Sequence, residues 1–147
     1  MKRILYPPHW VLLLLITEVG LWRWLPLARW SQPTRVAGGL IALLGLALVL
    51  SAARWFRRKK TGIRPFSEST ALVVEGPYRF SRNPIYIGMT LFLLGVALAL
   101  GAASALVAPV VFVAVITWRF ILPEEAHMER AFGEEYLALK RRVRRWL

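Results

Sequence analysis

Long apolar stretches separated by basic residues dominate the chain. Each is close to the roughly 20 residues that a helix needs to cross a bilayer, and they cover about 9–27, 36–53, 84–101 and 104–122. The last two divide one uncharged run at the turn-forming segment 101–104. The pattern predicts an all-α integral membrane protein, with about four transmembrane helices in a single membrane domain, 1–147.

After Pro123 the pattern becomes amphipathic. Apolar residues recur at spacings of three and four, with Arg and Lys between them, at Met128, Phe132, Tyr136, Leu139, Val143 and Trp146. This periodicity predicts an amphipathic helix over 124–146, with Gly133 as the place where it can break. A basic amphipathic helix is expected to lie along the membrane surface as an interfacial helix.

Composition agrees with a membrane protein. Hydrophobic residues make up 57% of the chain and charged residues 19%, which excludes an ordinary water-soluble globular protein. The net charge of +12 fits anionic lipid headgroups better than nucleic acid, since no DNA or RNA module surrounds the basic segment 54–60. The chain has no cysteine and two histidines, too few for a thiolate or histidine-rich metal site. The expected partners are therefore membrane lipids, without nucleic acid or metal.

Basic residues also predict the orientation. Of the 20 Lys and Arg residues, all except Arg23, Arg29 and Arg35 lie at the N-terminus, in 54–82, or from Arg119 onward. By the positive-inside rule, both termini and the loop 54–83 face the cytoplasm, and the turn near 101–104 faces out. The protein is expected in the cytoplasmic membrane, with its first span retained as a signal anchor.

Glu18 lies inside the first predicted span. An ionised carboxylate in hydrocarbon costs several kcal/mol unless it is paired or hydrated. Two interpretations stay open: the carboxylate lies near the outer interface beside Arg23, or it marks a small dimeric proton-coupled exporter. An exporter has no need of the polar segments near the third and fourth spans.

The polar segment 76–88 reads Gly-Pro-Tyr-Arg-Phe-Ser-Arg-Asn-Pro-Ile-Tyr-Ile-Gly. Asn83 is a favourable helix N-cap and Pro84 a favourable first residue, so this pair can simply start the third span. A helix start does not account for the other polar residues at the same depth, Tyr78, Arg79, Arg82 and Tyr86. Arginines beside a helix N-terminus suit a carboxylate or a phosphate.

The pair Glu124 and Glu125 follows the fourth span. In the first turn of a helix, acids gain a few tenths of a kcal/mol from the helix dipole, and the spacing Glu124-x-x-His127 matches half of a di-iron site with no second copy. Because the third and fourth spans form a hairpin, this pair and the segment before Ile85 return to the same face. The sequence predicts one pocket there, suited to a zwitterion with an amine, a carboxylate and hydroxyls.

The motifs together resemble a known family. Segment 76–88, the hydrophobic hairpin, Glu124-Glu125 and the tail segment Phe-Gly-Glu-Glu-Tyr at 132–136 resemble the isoprenylcysteine carboxyl methyltransferase and phospholipid methyltransferase superfamily. Its members are integral membrane enzymes that use S-adenosylmethionine, and the likeness covers about 73–146. Asn83 replaces the family's usual histidine and cannot carry a proton or a charge. Arg144 stands where the family tail has a proline.

The resemblance implies S-adenosylmethionine as cofactor, in a pocket that opens to the cytosol. It implies cofactor binding by Tyr78, Arg82, Asn83, Pro84, Tyr86, Glu124 and Glu125. Catalytic roles are expected for Arg79, Arg82 and Glu125, with Arg79 or Arg82 taking the methionyl carboxylate of the cofactor. The expected activity is methylation of a lipid-like or prenylated amphiphile at the cytoplasmic face, most like isoprenylcysteine carboxyl O-methyltransferases. The alternative is phospholipid N-methylation, and the oligomeric state stays open.

Overall fold

The computed structural model describes residues 6–58 and 72–147, and these residues are mainly helical. The α-helices are α1 Pro7–Trp24, α2 Gln32–Arg58, α3 Pro84–Leu100, α4 Val107–Ile116, α5 Leu122–Phe132 and α6 Glu134–Arg142. Short 3-10 helices lie at Gly76–Arg79 and Ala103–Leu106, and a π-helical segment, Thr117–Ile121, joins α4 to α5. Within the described ranges, β-structure is limited to two isolated bridges. The all-α class predicted from the apolar pattern is confirmed.

Two helical segments are long and apolar enough to cross a membrane by length and composition. They are α2, with 27 residues, and the continuous helical run Ala103–Phe132, with 30 residues. Helix α3 is apolar but shorter, at 17 residues. Helix α1 has 18 residues and carries Glu18 and Arg23, so its crossing of the membrane stays a prediction.

The first residues of the predicted cytoplasmic loop 54–83 belong to a helix. Helix α2 continues through Arg58 because nothing in 54–58 breaks a helix. Residues 59–71 lie outside the described part, as do the first five residues on which the signal-anchor prediction depends.

Three helices share one apolar core. Leu14 of α1, Leu93 of α3, and Phe112 and Ile116 of α4 are buried together in it. Helix α2 packs along α3, and glycines bring the two backbones into direct contact. An added Cβ at Gly45 would lie 2.5 Å from the backbone nitrogen of Phe92. Such contact between small residues is a common way for membrane helices to associate.

One end of the hairpin formed by α3 and α4 is closed by the connection between α1 and α2. The Trp30 backbone N–H donates to the carbonyl of Gly101 (3.1 Å), and that of Ala103 donates to the carbonyl of Leu27 (2.8 Å). Gly101 ends α3 with φ +78°, in the left-handed region that glycine tolerates. The polar segments therefore lie at the other end.

The predicted helix 124–146 is two helices, α5 and α6. The break occurs at Gly133, whose φ is +51°, and α6 ends at Arg142, before an extended Val143. The apolar stripe packs internally: Tyr136, Leu139 and Val143 are buried against Met128, Phe132, Leu72 and Val74. This second core joins the C-terminal segment to the residues that precede α3.

Candidate functional site

The hairpin brings the start of α3 next to the start of α5. Pro84 lies at the first position of α3, where a missing backbone N–H costs nothing, and Pro123 lies at the second position of α5, directly after the π-helical segment. The Tyr86 hydroxyl donates a hydrogen bond of 2.9 Å to Oε1 of Glu124. The two polar segments therefore meet at one end of the bundle.

Arg82, Glu125 and Arg145 form a compact charged cluster. Nε and Nη2 of Arg145 donate to the two oxygens of Glu125 at 2.9 and 2.8 Å, a bidentate pair. Nη1 of Arg82 lies 3.1 Å from Glu125 Oε1 and donates to the Tyr136 hydroxyl at 3.3 Å. The Arg82 and Glu125 side chains are each 8% exposed, whereas that of Arg145 is 38% exposed. The most accessible charge of the cluster therefore belongs to the C-terminal tail.

The charged cluster carries a net positive charge. Burial alone would raise the pKa of Glu125, but the hydrogen bond from Arg145 and the positive charge of Arg82 outweigh burial, so the pKa is lowered. The hydrogen bond with Glu125 likewise raises the pKa of Arg145. At neutral pH, two guanidinium groups thus share one carboxylate, which leaves one positive charge for an anionic ligand.

The C-terminal tail is attached to the segment before α3. The Arg82 backbone N–H donates to the Arg144 carbonyl at 2.9 Å, within a parallel bridge between Ser81 and Arg144. The Arg145 carbonyl accepts hydrogen bonds from Ser81 Oγ at 3.1 Å and from Asn83 Nδ2 at 3.0 Å. Asn83 occupies the N-cap position of α3, but its side chain makes no capping bond. Its amide holds the tail instead.

Tyr78, Tyr86 and Glu124 form a second group, which we call the tyrosine group. Burial raises the pKa of Glu124, past the apolar end of the predicted fourth span, to about 7, although the hydrogen bond from Tyr86 acts in the opposite direction. Tyr78 is 6% exposed, and its hydroxyl has no hydrogen-bond partner among the described residues. Burial, with a smaller contribution from the charge of Glu124, raises the pKa of Tyr78. A carboxyl group with a raised pKa and a phenol without a hydrogen-bond partner in the described part of the chain therefore belong to the same group.

The wall behind Tyr78 is apolar. Its ring packs edge-on against Phe56 of α2, with 5.2 Å between ring centroids, and the same cluster contains Ala52, Trp55, Val73 and Ile85. The tyrosine group thus presents polar atoms beside an apolar surface.

The structure brings together most of the residues that the sequence singled out. Arg82, Asn83, Tyr86, Glu124 and Glu125 all take part in the contacts described above, and Pro84 begins α3. Arg79 is exposed at the end of the 3-10 helix Gly76–Arg79, and it makes no ion pair in the described part of the chain. Its catalytic role stays a prediction without support from this arrangement.

Two residues of the site were not singled out from the sequence. Tyr136 was assigned to the apolar stripe and to the tail segment that resembles the family, without a role in the site, and Arg145 was one of several tail arginines. No sequence signal separates Arg145 from its neighbour Arg144. Among residues 6–58 and 72–147, no group of three His, Asp or Glu side chains could hold a metal ion. The described residues therefore do not complete the half of a di-iron site that the spacing of Glu124 and His127 matches.

The fold and the site define a helical membrane protein with a charged site at one end of a helical hairpin. A family model described as phospholipid methyltransferase matches residues 33–135. The chain belongs to this family, and thus to the isoprenylcysteine and phospholipid methyltransferase superfamily. An uncharacterised protein of Haemophilus influenzae is 40% identical over 63 residues, which are 43% of this chain and the whole of that protein.

The family match confirms the resemblance found in the motifs. The protein is an integral membrane protein of a methyltransferase family. The matched range ends one residue before Tyr136 and does not include Arg145.

Proposed function

We propose that this protein is an S-adenosylmethionine-dependent methyltransferase that acts on a lipid-like or prenylated amphiphile at the cytoplasmic face of the membrane. The observation that carries the proposal is the meeting of the charged cluster and the tyrosine group at one end of the hairpin, in a chain of this family. An acceptor with an apolar tail reaches this end laterally, since the wall formed by Phe56 and Ile85 is apolar.

The residues present fit the cofactor. Its amino-acid part carries a carboxylate and an ammonium group, and its ribose carries hydroxyls. The charged cluster, with one excess positive charge, suits the carboxylate, and Nε of Arg82 is buried without a hydrogen-bond partner among the described residues. Glu124 suits the ammonium or the hydroxyls. When bound, S-adenosylmethionine supplies a methyl group activated by the adjacent sulfonium.

The chain's own contribution is position and proton transfer. Methyl transfer is an in-line displacement, so holding the acceptor atom in line is the main task of the protein. A carboxylate acceptor is already ionised at neutral pH and needs no base. An amine acceptor arrives as an ammonium and has to lose a proton first, and Glu124, with a pKa of about 7, is suited to accept it.

Two acceptor classes follow from this chemistry. The order of the sequence motifs favours a prenylcysteine carboxylate, as in the best-known relatives. The phospholipid methyltransferase match and the raised pKa of Glu124 favour an amine headgroup. A phospholipid with a primary amine is therefore the second candidate.

Cofactor binding is tested first. Calorimetric titration of the detergent-solubilised protein with S-adenosylhomocysteine is expected to show saturable micromolar binding. This binding is expected to be lost in Glu125→Gln, because Glu125 holds the Arg82 and Arg145 side chains in place. Glu129→Gln is the matched control, because Glu129 lies on the same helix and pairs with Lys140 outside the charged cluster. Absence of binding in well-folded protein, also in lipid nanodiscs, would contradict the proposed function.

The acceptor is identified by methyl transfer from a radiolabelled donor. The purified enzyme is incubated with phosphatidylethanolamine vesicles or with N-acetyl-S-farnesylcysteine, and the products are treated with alkali. A methyl ester releases volatile labelled methanol under alkali, whereas an N-methyl group does not. Label in neither acceptor, from protein that binds S-adenosylhomocysteine, would exclude both acceptor classes.

A further inference from the structure

The charged cluster offers one guanidinium edge to a ligand. Arg145 uses Nε and Nη2 for Glu125, so the bonds to Glu125 leave Nη1 unused. Arg82 is less available, since its side chain is 8% exposed and its Nη1 already faces both Glu125 and Tyr136. A carboxylate that approaches the cluster therefore meets Arg145 first.

The position of Arg145 is fixed through its main chain. Its carbonyl oxygen accepts two hydrogen bonds, from Ser81 and Asn83, which use both lone pairs. The next residue, Trp146, packs against the core cluster that contains Tyr86. The contacts of the Arg145 carbonyl and of Trp146 thus hold the tail next to the Arg145 side chain.

The side chain of Asn83 hydrogen-bonds to the Arg145 carbonyl and does not cap helix α3. An asparagine at an N-cap ordinarily accepts a hydrogen bond from the second or third helical N–H, which stabilises the helix by about 1 kcal/mol. Here its side chain makes no such bond and donates to the Arg145 carbonyl instead. The side chain of Asn83 is therefore directed at the tail.

We propose that Arg145 binds the carboxylate of the cofactor's amino-acid part, and that Asn83 is a positioning residue that holds Arg145 through its carbonyl instead of contacting the cofactor. This inference rests on the proposed function and deepens it. It assigns the anion-binding role to a residue beyond the range matched by the family model.

The test compares two ligands that differ only in the carboxylate, S-adenosylmethionine and decarboxylated S-adenosylmethionine, by calorimetric titration without acceptor. Arg145→Gln is expected to weaken binding of S-adenosylmethionine roughly 10- to 100-fold, the usual range for a charge-assisted hydrogen bond. Binding of the decarboxylated ligand is expected to change less than about 2-fold, since its missing group is the one that Arg145 binds. Arg144→Gln is the matched control, because Arg144 is exposed and holds the tail only through its backbone carbonyl.

Two results would overturn the assignment of Arg145. Equal weakening of both ligands would show that Arg145 only maintains the site, and unchanged binding of both would show that another residue takes the carboxylate. If the wild-type protein bound neither ligand, this would contradict the proposed function as well as the inference about Arg145. The two failures can therefore be distinguished.

The role of Asn83 is tested by non-additivity. Asn83→Ala is expected to weaken S-adenosylmethionine more than the decarboxylated ligand, and the double variant Asn83→Ala/Arg145→Gln is expected to bind no more weakly than Arg145→Gln alone. Residues that act through one another show this lack of additivity. Additive losses would overturn the positioning role, since they would mean that Asn83 contacts the ligand itself.

Discussion

Glu18 is a carboxyl group in an apolar core. It is fully buried in α1, and neither of its oxygens has a hydrogen-bond partner among the described residues. Among the described residues, the helices that pack against α1 are α3, the 3-10 helix Ala103–Leu106 and α4, all within 84–116, a range without charged residues or histidine. A buried polar group without a partner is destabilising, and its removal is often favourable.

We therefore expect Glu18→Leu to raise the thermal unfolding midpoint in detergent, by a stabilisation of about 1–3 kcal/mol. Binding of S-adenosylhomocysteine is expected to stay unchanged, because Glu18 lies outside the charged cluster. Glu134→Leu, at an exposed position, serves as control. The exporter interpretation predicts instead that the protein carries out proton-coupled transport and that Glu18→Gln abolishes it. Such a result would replace the proposed methyltransferase function.

The raised pKa of Glu124 predicts the sign of a pH dependence of stability. Burial raises its pKa from the ordinary value of 4.5 to about 7. A group with a raised pKa contributes stability that is fully present below about pH 4.5 and is lost as pH rises through about 7. Glu125 has a lowered pKa, so its contribution to stability is lost as pH falls, mainly below about pH 4.5.

The thermal midpoint of the wild-type protein is thus expected to fall between about pH 5 and pH 8, and that of Glu124→Gln to fall less. The amide oxygen of glutamine can still accept the Tyr86 hydrogen bond, so the variant keeps the contact and removes only the titration. Equal slopes for both proteins in this range would contradict a raised pKa at Glu124.

Packing between α2 and α3 depends on glycine at specific positions. An added Cβ at Gly45 would collide with the backbone of Phe92, whereas nothing lies within 4 Å of a Cβ added at Gly39 on the same helix. We expect Gly45→Ala to destabilise the protein by about 1–3 kcal/mol through overpacking. Gly39→Ala is expected to be neutral or to stabilise by up to about 1 kcal/mol through helix propensity. Thermal unfolding of both variants measures the difference, and equal effects would rule out this close contact.

The helices themselves were largely readable from the sequence. Uncharged runs bounded by arginines predicted α2 and α3, and the Asn-Pro step predicted that α3 begins at Pro84. The π-helical segment Thr117–Ile121 was not readable, since no residue type specifies an extra residue in a helical turn. The same holds for the tail: the pairing of Ser81 with Arg144 depends on contacts between residues more than 60 positions apart.

Part of the candidate site was equally readable. The hairpin argument placed Arg82 near Glu125 because both flank spans that return to one face. It could not place Arg145, because two adjacent tail arginines have the same chemistry and only the fold turns one toward Glu125. Asn83 was assigned to the helix start and to cofactor binding, and its hydrogen bond to the Arg145 carbonyl became visible only in the structure.

At the scale of the whole molecule, the charges are distributed unevenly between the two ends. The end with Gly101 is closed by backbone hydrogen bonds from the connection between α1 and α2. The opposite end gathers the charged cluster and the basic helix α6. The positive-inside rule predicts that the site faces the cytosol, where S-adenosylmethionine is available to it.

This orientation is testable because the chain contains no cysteine. Ser31→Cys lies in the α1–α2 connection and Ala138→Cys on α6, and both positions are exposed. In intact cells of the expression host, a membrane-impermeant maleimide is expected to label Ser31→Cys, and to label Ala138→Cys only after permeabilisation. The cysteine-free wild-type protein controls for background labelling. The reverse pattern would place the charged cluster outside the cell, away from cytosolic cofactor, and would contradict both the orientation and the proposed reaction.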